Sequence, residues 1–162
     1  RGEKNLCKYM DMVLLCTMVA LHFRPYTFRF KNKENKRLIF DPVRKLFVVL
    51  TPEEWVRQHV IQWLLIDKSQ SPHLMSVERQ ITYNNMVKRC DIVVYHPDGR
   101  IKLIVECKAP EIPLDQSTFD QIARYNLVLE ADYLMVSNGL KHIYCLVDQK
   151  EKAYSFLEDL PF

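Results

Sequence analysis

Three charged side chains at the ends of two apolar, strand-like segments are the part of this sequence that could do chemistry. Asp91 precedes the apolar run 92–94, while Glu106 follows the run 103–105 and Lys108 lies two residues further on. Carboxylates brought together beside apolar strands repel each other and lose hydration, which costs stability unless a positive charge lies between them. The pattern therefore points to a bound cation or to a basic partner side chain.

A turn signal between the two segments predicts which residues face each other. Asp98-Gly99 is favoured in two-residue type I′ turns, because both turn positions need positive φ. Cross-strand Cβ atoms lie about 4.5–5.5 Å apart, and side chains two residues apart share a face, so Lys108 joins Glu106. Counted outward from this loop, the predicted pairs are Pro97 with Arg100, Tyr95 with Lys102, Val93 with Ile104, and Asp91 with Glu106.

A divalent cation suits the predicted cluster. Mg²⁺ binds one or two carboxylates, keeps several waters and lets phosphate oxygens complete its shell, and Mn²⁺ can substitute for it. Asp91 and Glu106 are then the metal ligands. Lys108 would hold or polarise the attacking water and offset negative charge in the transition state. The chemistry predicted from these residues is metal-assisted hydrolysis of a phosphate ester.

A structural interpretation of the same triplet stays open. E-x-K also occurs at Glu34-Asn35-Lys36 and D-x-K at Asp148-Gln149-Lys150, both in polar surroundings. A cross-strand network of lysine and carboxylates would explain Asp91, Glu106 and Lys108 without any metal. Glu78, an acid within another strand-like run, is interpreted as part of a solvated strand face, and Cys107 as a core residue on the face opposite Glu106.

The elements that must position the hairpin follow from periodicity and from turn signals. Thr51-Pro52-Glu53-Glu54 supplies an N-cap, a proline in the first turn and two first-turn acids, which predicts a helix start. The expected fold class is α/β, with a small antiparallel β meander followed by the order α-β-β-β-α-β-β. The expected segments are strands 26–30, 38–40 and 46–50, the helix from Pro52, strands 74–82, 90–95 and 101–107, helix 117–130, and strands 133–137 and 142–147.

Composition limits the classes of protein. The chain has 162 residues, 48% hydrophobic and 27% charged, which predicts one globular domain. It has only three glycines, and they are scattered, which excludes a Rossmann fingerprint and a Walker phosphate loop. Its five cysteines form no C-x-x-C pair, so we expect neither disulfides nor a zinc site, and a reducing cytoplasm fits best.

The first 24 residues differ from the rest of the chain. Met10–Leu21 is almost continuously apolar and follows Arg1, Lys4 and Lys8, an outline shared with export signals. The run is too short to span a bilayer comfortably, and no A-x-A pattern follows it. We therefore expect residues 1–24 to be an apolar extension, either a docked helix or sequence upstream of the natural start, followed by a domain at 25–162 without a membrane partner.

Two segments of the hairpin carry a resemblance to a known family. Cys90-Asp91 with Glu106-Cys107-Lys108 resembles the PD-(D/E)xK nuclease signature, with cysteine in place of its proline. The segments 88–95 and 104–110 are similar to the N-terminal domain of type I restriction enzyme R subunits, in a small stand-alone form. This resemblance implies a restriction-endonuclease-like α-β-β-β-α-β core with a mixed central sheet flanked by helices. It also implies Mg²⁺-dependent cleavage of DNA, with metal bound at Asp91 and Glu106 and with Lys108 catalytic.

The resemblance implies further site residues. Gln121 and Tyr125, four apart on the second helix, resemble the Q-x-x-x-Y element that borders the site in RecB-like relatives. Glu54 matches the acid that many relatives place near the metal on their first helix, although Glu53 competes and the helix dipole alone favours acids there. Restriction R subunits continue into helicase domains that this chain lacks, so a separately encoded motor or specificity subunit is an expected partner.

Three function hypotheses follow from the residues and the resemblance. The first is a metal-dependent nuclease acting on DNA in restriction, defence or repair. The second is a nucleic-acid-binding module or a subunit of a larger complex without turnover, and the third is a structural interaction domain whose carboxylates are satisfied by basic side chains. A cluster of basic residues could follow a DNA backbone or simply form a solvated hairpin surface. It comprises Arg24, Arg29, Lys31, Lys33, Lys36, Arg37, Arg44 and Lys45.

Overall fold

The computed structural model describes residues 18–83 and 86–162. Within them the chain forms nine strands and two α-helices, in the predicted α/β class. The strands are β1 (Phe30–Lys33), β2 (Lys36–Asp41), β3 (Leu46–Val49), β4 (Met75–Tyr83), β5 (Met86–Tyr95), β6 (Ile101–Cys107), β7 (Tyr133–Ser137), β8 (His142–Asp148) and β9 (Ala153–Leu157). The helices are α1 (Pro52–Ile66) and α2 (Gln116–Leu129), and a 3₁₀ turn covers Pro72–Leu74.

The strands form two sheets. β1, β2 and β3 form a three-stranded antiparallel sheet, the predicted meander, ahead of α1. The other six strands form one mixed sheet in the order β4-β5-β6-β7-β8-β9. In this sheet β6 and β7 pair in parallel and the other neighbours pair antiparallel. The α-β-β-β-α-β core expected from the resemblance is present, and β9 is an additional strand that the sequence patterns did not predict.

The two helices cover opposite faces of the mixed sheet, since each packs on alternate strand residues. The α1 layer joins the helix to side chains of β5 and β6, and its buried members include Val56, Val60, Ile61, Leu64, Ile92, Val94, Leu103, Val105 and Cys107. The α2 layer contains Cys90, Val93, Ile104, Phe119, Ile122, Ala123, Leu134 and Val136. The mixed sheet is therefore buried on both faces, which explains its apolar strand sequences.

The start of α1 has the predicted cap. The Glu54 N–H donates to Thr51 Oγ1 at 3.0 Å, Pro52 opens the helix, and Glu53 and Glu54 occupy its first turn. The core face of the helix is unusual, because it buries polar side chains beside the apolar ones. Glu54, Arg57 and Gln58 are all buried. Residues that form part of the candidate site therefore lie inside the helix–sheet interface.

The turn of the β5–β6 hairpin differs from the prediction. The His96 N–H donates to Arg100 O at 2.8 Å and the Gly99 N–H to His96 O at 2.9 Å, so the loop has three residues rather than two. Gly99 alone has positive φ (88°), the pattern of a type I turn followed by a glycine bulge. Tyr95 consequently pairs with Ile101 instead of Lys102, and the Pro97–Arg100 pair does not form.

An irregularity further along the same hairpin restores the predicted register. The ladder shifts between Val94 and Tyr95, after which Val94 pairs with Leu103 and Val93 with Ile104. A one-residue bulge offsets the one extra residue in the loop, so the inner part of the hairpin keeps its alternation. The predicted Val93–Ile104 pair is confirmed, although the loop that led to it was wrong.

The meander starts later than predicted. β1 begins at Phe30 and runs through the polar segment that the patterns assigned to a connection. Glu34 and Asn35 both have positive φ, 50° and 60°, between the paired residues Lys33 and Lys36. This is the two-residue type I′ geometry that the sequence analysis assigned to Asp98-Gly99, and asparagine tolerates it well.

The described part of the N-terminal extension packs against the domain. Leu21 and Phe23 contact the α1 layer of the core, and the His22 N–H donates to Gly139 O at 2.7 Å. Leu21 lies so close to Gly139 that a Cβ there would come within 2.6 Å of Leu21 Cδ2. The expected docked helix at Met10–Leu21 falls mostly outside the described residues. No helix in the described part of the chain is long and apolar enough to cross a membrane.

Stability should depend on pH through His59. The ring is buried among Trp55, Phe28 and Phe23, and burial lowers the pKa of His59 despite the bond from Nδ1–H to Trp55 O. The unfolded chain therefore takes up the proton more readily. This contribution to the free energy of unfolding is present above about pH 6.5 and is lost as the pH falls below it.

A pair of variants tests this dependence by chemical denaturation at neutral and at mildly acidic pH. His59→Gln should lose less stability on acidification than the wild-type protein does. Burial also lowers the pKa of His142, so a smaller acid effect should persist in the variant. The exposed His73, replaced in His73→Gln, is the control and should leave the profile unchanged. Identical profiles for all three proteins would contradict the prediction.

Candidate active site

The predicted carboxylates lie where β5 and β6 stop pairing. The ladder continues to the pair Ile92–Val105, and Asp91 and Glu106 are the next residue on each strand. Beyond this pair the two strands are joined by a side chain, because the Cys107 N–H of β6 donates to Asp91 Oδ2 of β5 at 2.7 Å. A buried carboxylate that accepts a backbone hydrogen bond is held in one position. Asp91 is 8% exposed.

A second irregularity orients Asp91. β4 pairs with β5 at Val77–Ile92 and Arg79–Cys90, but the pair between them is missing, where Glu78 lies opposite Asp91. Glu78 has a φ of 53°, which is unusual for a residue with a side chain. Cys90 consequently lies in the α2 layer, although alternation from Ile92 would place it in the α1 layer. The distortion leaves Asp91 facing α1.

Arg57 on α1 bridges two of the three predicted metal ligands. Its Nη2 donates to Asp91 Oδ1 at 2.7 Å and to Glu53 Oε1 at 3.0 Å, and its Nη1 donates to Glu54 Oε2. Burial alone would lower the pKa of Arg57, but the charges of Asp91 and Glu54 outweigh burial and raise it. The guanidinium is therefore a permanent positive charge between these carboxylates.

A second arginine reaches the cluster from the meander. Arg44 follows β2 and donates to Asp41 Oδ2 at 2.7 Å, to Glu54 Oε1 at 2.9 Å and to Glu78 Oε2 at 2.6 Å. Gln58 joins the same network, since its Nε2 donates to Asp41 Oδ2 and Glu54 Oε1, both at 2.9 Å. Glu78 is thus an ion-pair partner at the edge of the site, which corrects its interpretation as a member of a solvated face.

Lys108 pairs with Glu106, as the predicted cluster requires. Lys108 Nζ lies 3.0 Å from Glu106 Oε1, and both side chains are mostly buried. Burial acts to lower the pKa of Lys108, but the hydrogen bond to Glu106 and the charges of Glu106, Asp91 and Glu53 raise it overall. Lys108 is therefore a protonated donor at neutral pH, and the field of Asp91 reaches it. In this state it can orient a water or stabilise an anion.

Two carboxylates are the usual protein contribution to a magnesium site. Both oxygens of Asp91 already accept hydrogen bonds, Oδ1 from Arg57 Nη2 and Oδ2 from the Cys107 N–H. Glu54 is more fully engaged, since its Oε1 already accepts two hydrogen bonds and its Oε2 accepts from Arg57. Among the side chains that the structure describes, no group of three or more His, Cys, Asp or Glu residues converges on one metal position. Arg57 occupies the position between Glu54 and Asp91, so metal binding by Asp91, Glu106 and Glu54 stays a prediction.

Two buried atoms beside the carboxylates have no hydrogen-bond partner in the described part of the chain. They are Arg57 Nε and Gln58 Oε1. A buried donor and a buried acceptor left unpaired each cost roughly 1–3 kcal/mol. One hydrogen-bond donor and one acceptor are therefore left over near the start of α1. A phosphate oxygen could accept the hydrogen bond from the guanidinium there.

The remaining predicted site residues have different outcomes. Gln121 and Tyr125 belong to α2, but their side chains fall outside the described part of the structure, so their orientation stays a prediction. Cys107 is buried in the α1 layer, as predicted for a core residue, and burial with the charge of Asp91 raises its thiol pKa. A groove of about 530 Å³ is lined by Val43, Arg44, Glu78 and other residues of β4, and none of the predicted metal ligands lines it.

Sequence reasoning did not place Arg57 or Arg44 at the site; Arg44 was predicted only as a member of the basic cluster, whereas it bonds to Asp41, Glu54 and Glu78. A signal for Arg57 was present, because Arg57, Val60, Ile61 and Leu64 share the spacing of the buried face of α1. A charged residue in an apolar stripe is rarely buried without partners, so the position of Arg57 predicts carboxylates nearby. Arg44 had no comparable signal, since it lies in a turn and its partners come from three separate segments.

Comparison with known proteins gives one family match. No curated protein and no solved structure shows a significant match to the chain. The sequence model of one family, described as the type I restriction enzyme R protein N terminus (HSDR_N), matches residues 52–161. This range begins at α1 and includes every predicted metal ligand and Lys108. Since the match covers well over half of the sequence, the chain belongs to the type I restriction enzyme R protein N-terminal family.

Proposed function

We propose that this domain is a metal-dependent nuclease that hydrolyses phosphodiester bonds in DNA, in a restriction, defence or repair setting. One observation carries the proposal. Asp91 and Glu106 lie directly beyond Ile92–Val105, the last pair in the β5–β6 ladder, and Lys108 Nζ lies 3.0 Å from Glu106 Oε1. Membership of the R protein family supports a restriction-system role, with DNA and further subunits as partners.

Each residue of the cluster has a defined task in the proposed reaction. Asp91 and Glu106 hold Mg²⁺ or Mn²⁺, which when bound supplies Lewis-acid stabilisation of phosphate charge and lowers the pKa of a water. The Lys108 ammonium donates a hydrogen bond that orients the attacking water for an in-line approach. Because it stays protonated, it also offsets the negative charge that accumulates on the phosphate oxygens. Gln121 and Tyr125 border the substrate in this proposal.

In this proposal Arg57, on α1, takes part in substrate binding. The guanidinium holds Asp91 and Glu54 while the site is empty of substrate, and its planar donors match a phosphate as well as a carboxylate. A scissile phosphate that attracts Arg57 would free Oε2 of Glu54 and Oδ1 of Asp91. Glu54 then becomes available as the third ligand.

The same contacts favour a second candidate, a DNA-binding module or complex subunit without turnover. Arg57 and Arg44 already neutralise Glu54, Asp91 and Glu78, so these carboxylates need no metal for stability. In this alternative, catalysis would belong to another subunit, and the domain would contribute affinity for the nucleic acid. A cleavage assay separates the two candidates.

The purified protein should cut DNA in the presence of Mg²⁺ or Mn²⁺ and stop when EDTA is added. Lys108→Ala should lower turnover by about 100-fold or more while metal affinity changes little, since Lys108 acts on the water and the transition state. Lys150→Ala is the matched control, because Lys150 is exposed and belongs to the related D-x-K triplet Asp148-Gln149-Lys150. Single-stranded and double-stranded substrates should both be tested, and metal affinity measured by calorimetry.

Two results would contradict the nuclease proposal. The first is wild-type protein that binds DNA without metal-dependent cleavage, even with a candidate motor or specificity subunit added. The second is equal turnover for Lys108→Ala and Lys150→Ala in a reaction that is nonetheless sensitive to EDTA, since this would place the cleavage elsewhere or in a contaminant.

A further inference from the structure

The outer face of the meander carries a cationic surface separate from the carboxylate site. We call it the cationic face and define it by Arg29, Lys31, Lys33, Lys36, Phe40 and Phe47. The strand register places these residues in three rows. The Phe40 N–H donates to Arg29 O, and Phe40 pairs with Phe47. Lys31 pairs with Leu38, and Lys33 pairs with Lys36. All four basic side chains are exposed.

The opposite face of the meander is the one that packs on α1. Ile39 is fully buried there, the Phe30 and Trp55 ring centroids are 6.4 Å apart, and Gln58 bonds to the fully buried Asp41. Because strand side chains alternate, the cationic face points away from α1. It is a second surface of the meander, on which Leu38 is buried while the four basic side chains are exposed.

Aromatic rings hold two of the cations. The Arg29 guanidinium carbon lies 4.3 Å from the Phe40 ring centroid, and Lys31 Nζ lies 4.2 Å from that of Phe47. Such contacts stabilise a cation by about 0.5–1 kcal/mol at exposed sites. They also restrict its rotamers in advance, which lowers the entropy lost when an anion binds.

Negative charge is scarce on this part of the chain. Glu34 and Asp41 are the only acids between residues 26 and 50. Asp41 belongs to the buried face, where Arg44 and Gln58 bind it, and only Glu34 is exposed, with its Oε1 3.5 Å from Lys33 Nζ. The face therefore carries an excess of positive charge, which suits a regularly spaced polyanion.

We infer that the cationic face binds the phosphate backbone of DNA, without base specificity and without a metal. The meander precedes the range matched by the family, residues 52–161, so this surface lies outside the part shared with that family. Arg44, in the turn after β2, bonds to Glu54 and thereby fixes the meander to the candidate active site. A strand bound at the cationic face is consequently held by a part of the chain that is bonded directly to the candidate site.

Binding measured in EDTA tests this inference independently of cleavage. The probes are a fluorescent duplex and the corresponding single strand, titrated with the full chain at several salt concentrations. Lys31→Gln/Lys33→Gln/Lys36→Gln should raise the Kd about tenfold or more. It should also reduce the slope of log K against log salt by about 0.9 per lost contact on the duplex. The matched control is Lys141→Gln/Lys150→Gln/Lys152→Gln, which removes the same charge at exposed positions elsewhere.

The outcomes separate this inference from the nuclease proposal. If the control variant binds as weakly as the meander variant, net charge explains the affinity and the inference is wrong. The same conclusion follows if wild-type protein binds polyglutamate through these lysines but does not bind DNA. If DNA affinity depends on the meander lysines but the protein shows no cleavage, the result would support this inference and contradict the nuclease proposal. Circular dichroism should show both triple variants folded, since the altered side chains are exposed.

Discussion

Replacing Glu106 by alanine is expected to abolish DNA cleavage while leaving the fold about as stable as in the wild-type protein. The change removes an oxygen ligand, and a bound metal contributes several kcal/mol of transition-state stabilisation, where each 1.36 kcal/mol is a factor of ten in rate. A loss of about 1000-fold or more is therefore expected. The structural cost is expected to be small, because the Lys108 side chain, mostly buried but still 26% exposed, can be hydrated once Glu106 is removed.

Glu106→Gln sharpens this experiment, since it preserves size and hydrogen bonding but removes the charge. It should lose both metal affinity and cleavage, as the alanine variant does. The exposed Glu151, replaced in Glu151→Ala, is the control and should retain both. If Glu106→Ala lowered the melting temperature strongly while cleavage persisted, Glu106 would be a structural ion-pair partner and the proposed site would be wrong.

Replacing Arg57 is expected to have the largest effect on stability. Arg57→Met leaves the buried carboxylates of Glu54 and Asp91 without the cation between them, and breaking a buried ion pair in this way costs about 3–5 kcal/mol. Arg24→Met is the matched control, because Arg24 pairs with Asp67 on the surface with its own side chain 55% exposed. Its cost should stay below about 1 kcal/mol. Urea denaturation measures both changes.

Two additional measurements connect this effect to the site. Arg57→Met combined with Asp91→Asn should recover part of the lost stability, since the second change removes a carboxylate charge that Arg57 neutralised. Mn²⁺ should raise the melting temperature of Arg57→Met more than that of the wild-type protein, because a divalent cation can replace the guanidinium. If Arg57→Met is as stable as Arg24→Met, the guanidinium does not hold the carboxylates together.

The hairpin shows how far the sequence could predict the site. Proline at position 97 fixes φ near −65°, which suits the first central residue of a type I turn, so Pro97-Asp98-Gly99 forms a three-residue loop. The dipeptide Asp98-Gly99 alone favours a shorter loop. The bulge at Val94/Tyr95 then compensates, because the apolar side chains beyond it must keep their faces. Burial, rather than the turn, set the register next to Asp91.

The contacts of Asp91 could not be predicted from the residues around it in the sequence. Its partners come from α1 and β6, and its orientation depends on the break in pairing opposite Glu78. Such contacts between distant segments cannot be predicted from local sequence patterns. The nearby carboxylates could be predicted as a group from the sequence. The apolar spacing of α1 does predict that Arg57 is buried, but it does not indicate which carboxylates Arg57 neutralises.

The anchoring of the meander also bears on where the folding unit begins. The family match starts at residue 52, yet Asp41 and Arg44, which precede it, hold Glu54 and Gln58 from outside the matched range. Leu21 and Phe23, earlier still, cover apolar side chains of the α1 layer. A chain trimmed to the family limits would lose these contacts and uncover part of that layer. We therefore expect residues 52–161 alone to be less stable than the longer chain, although they span the whole range that the family model matches.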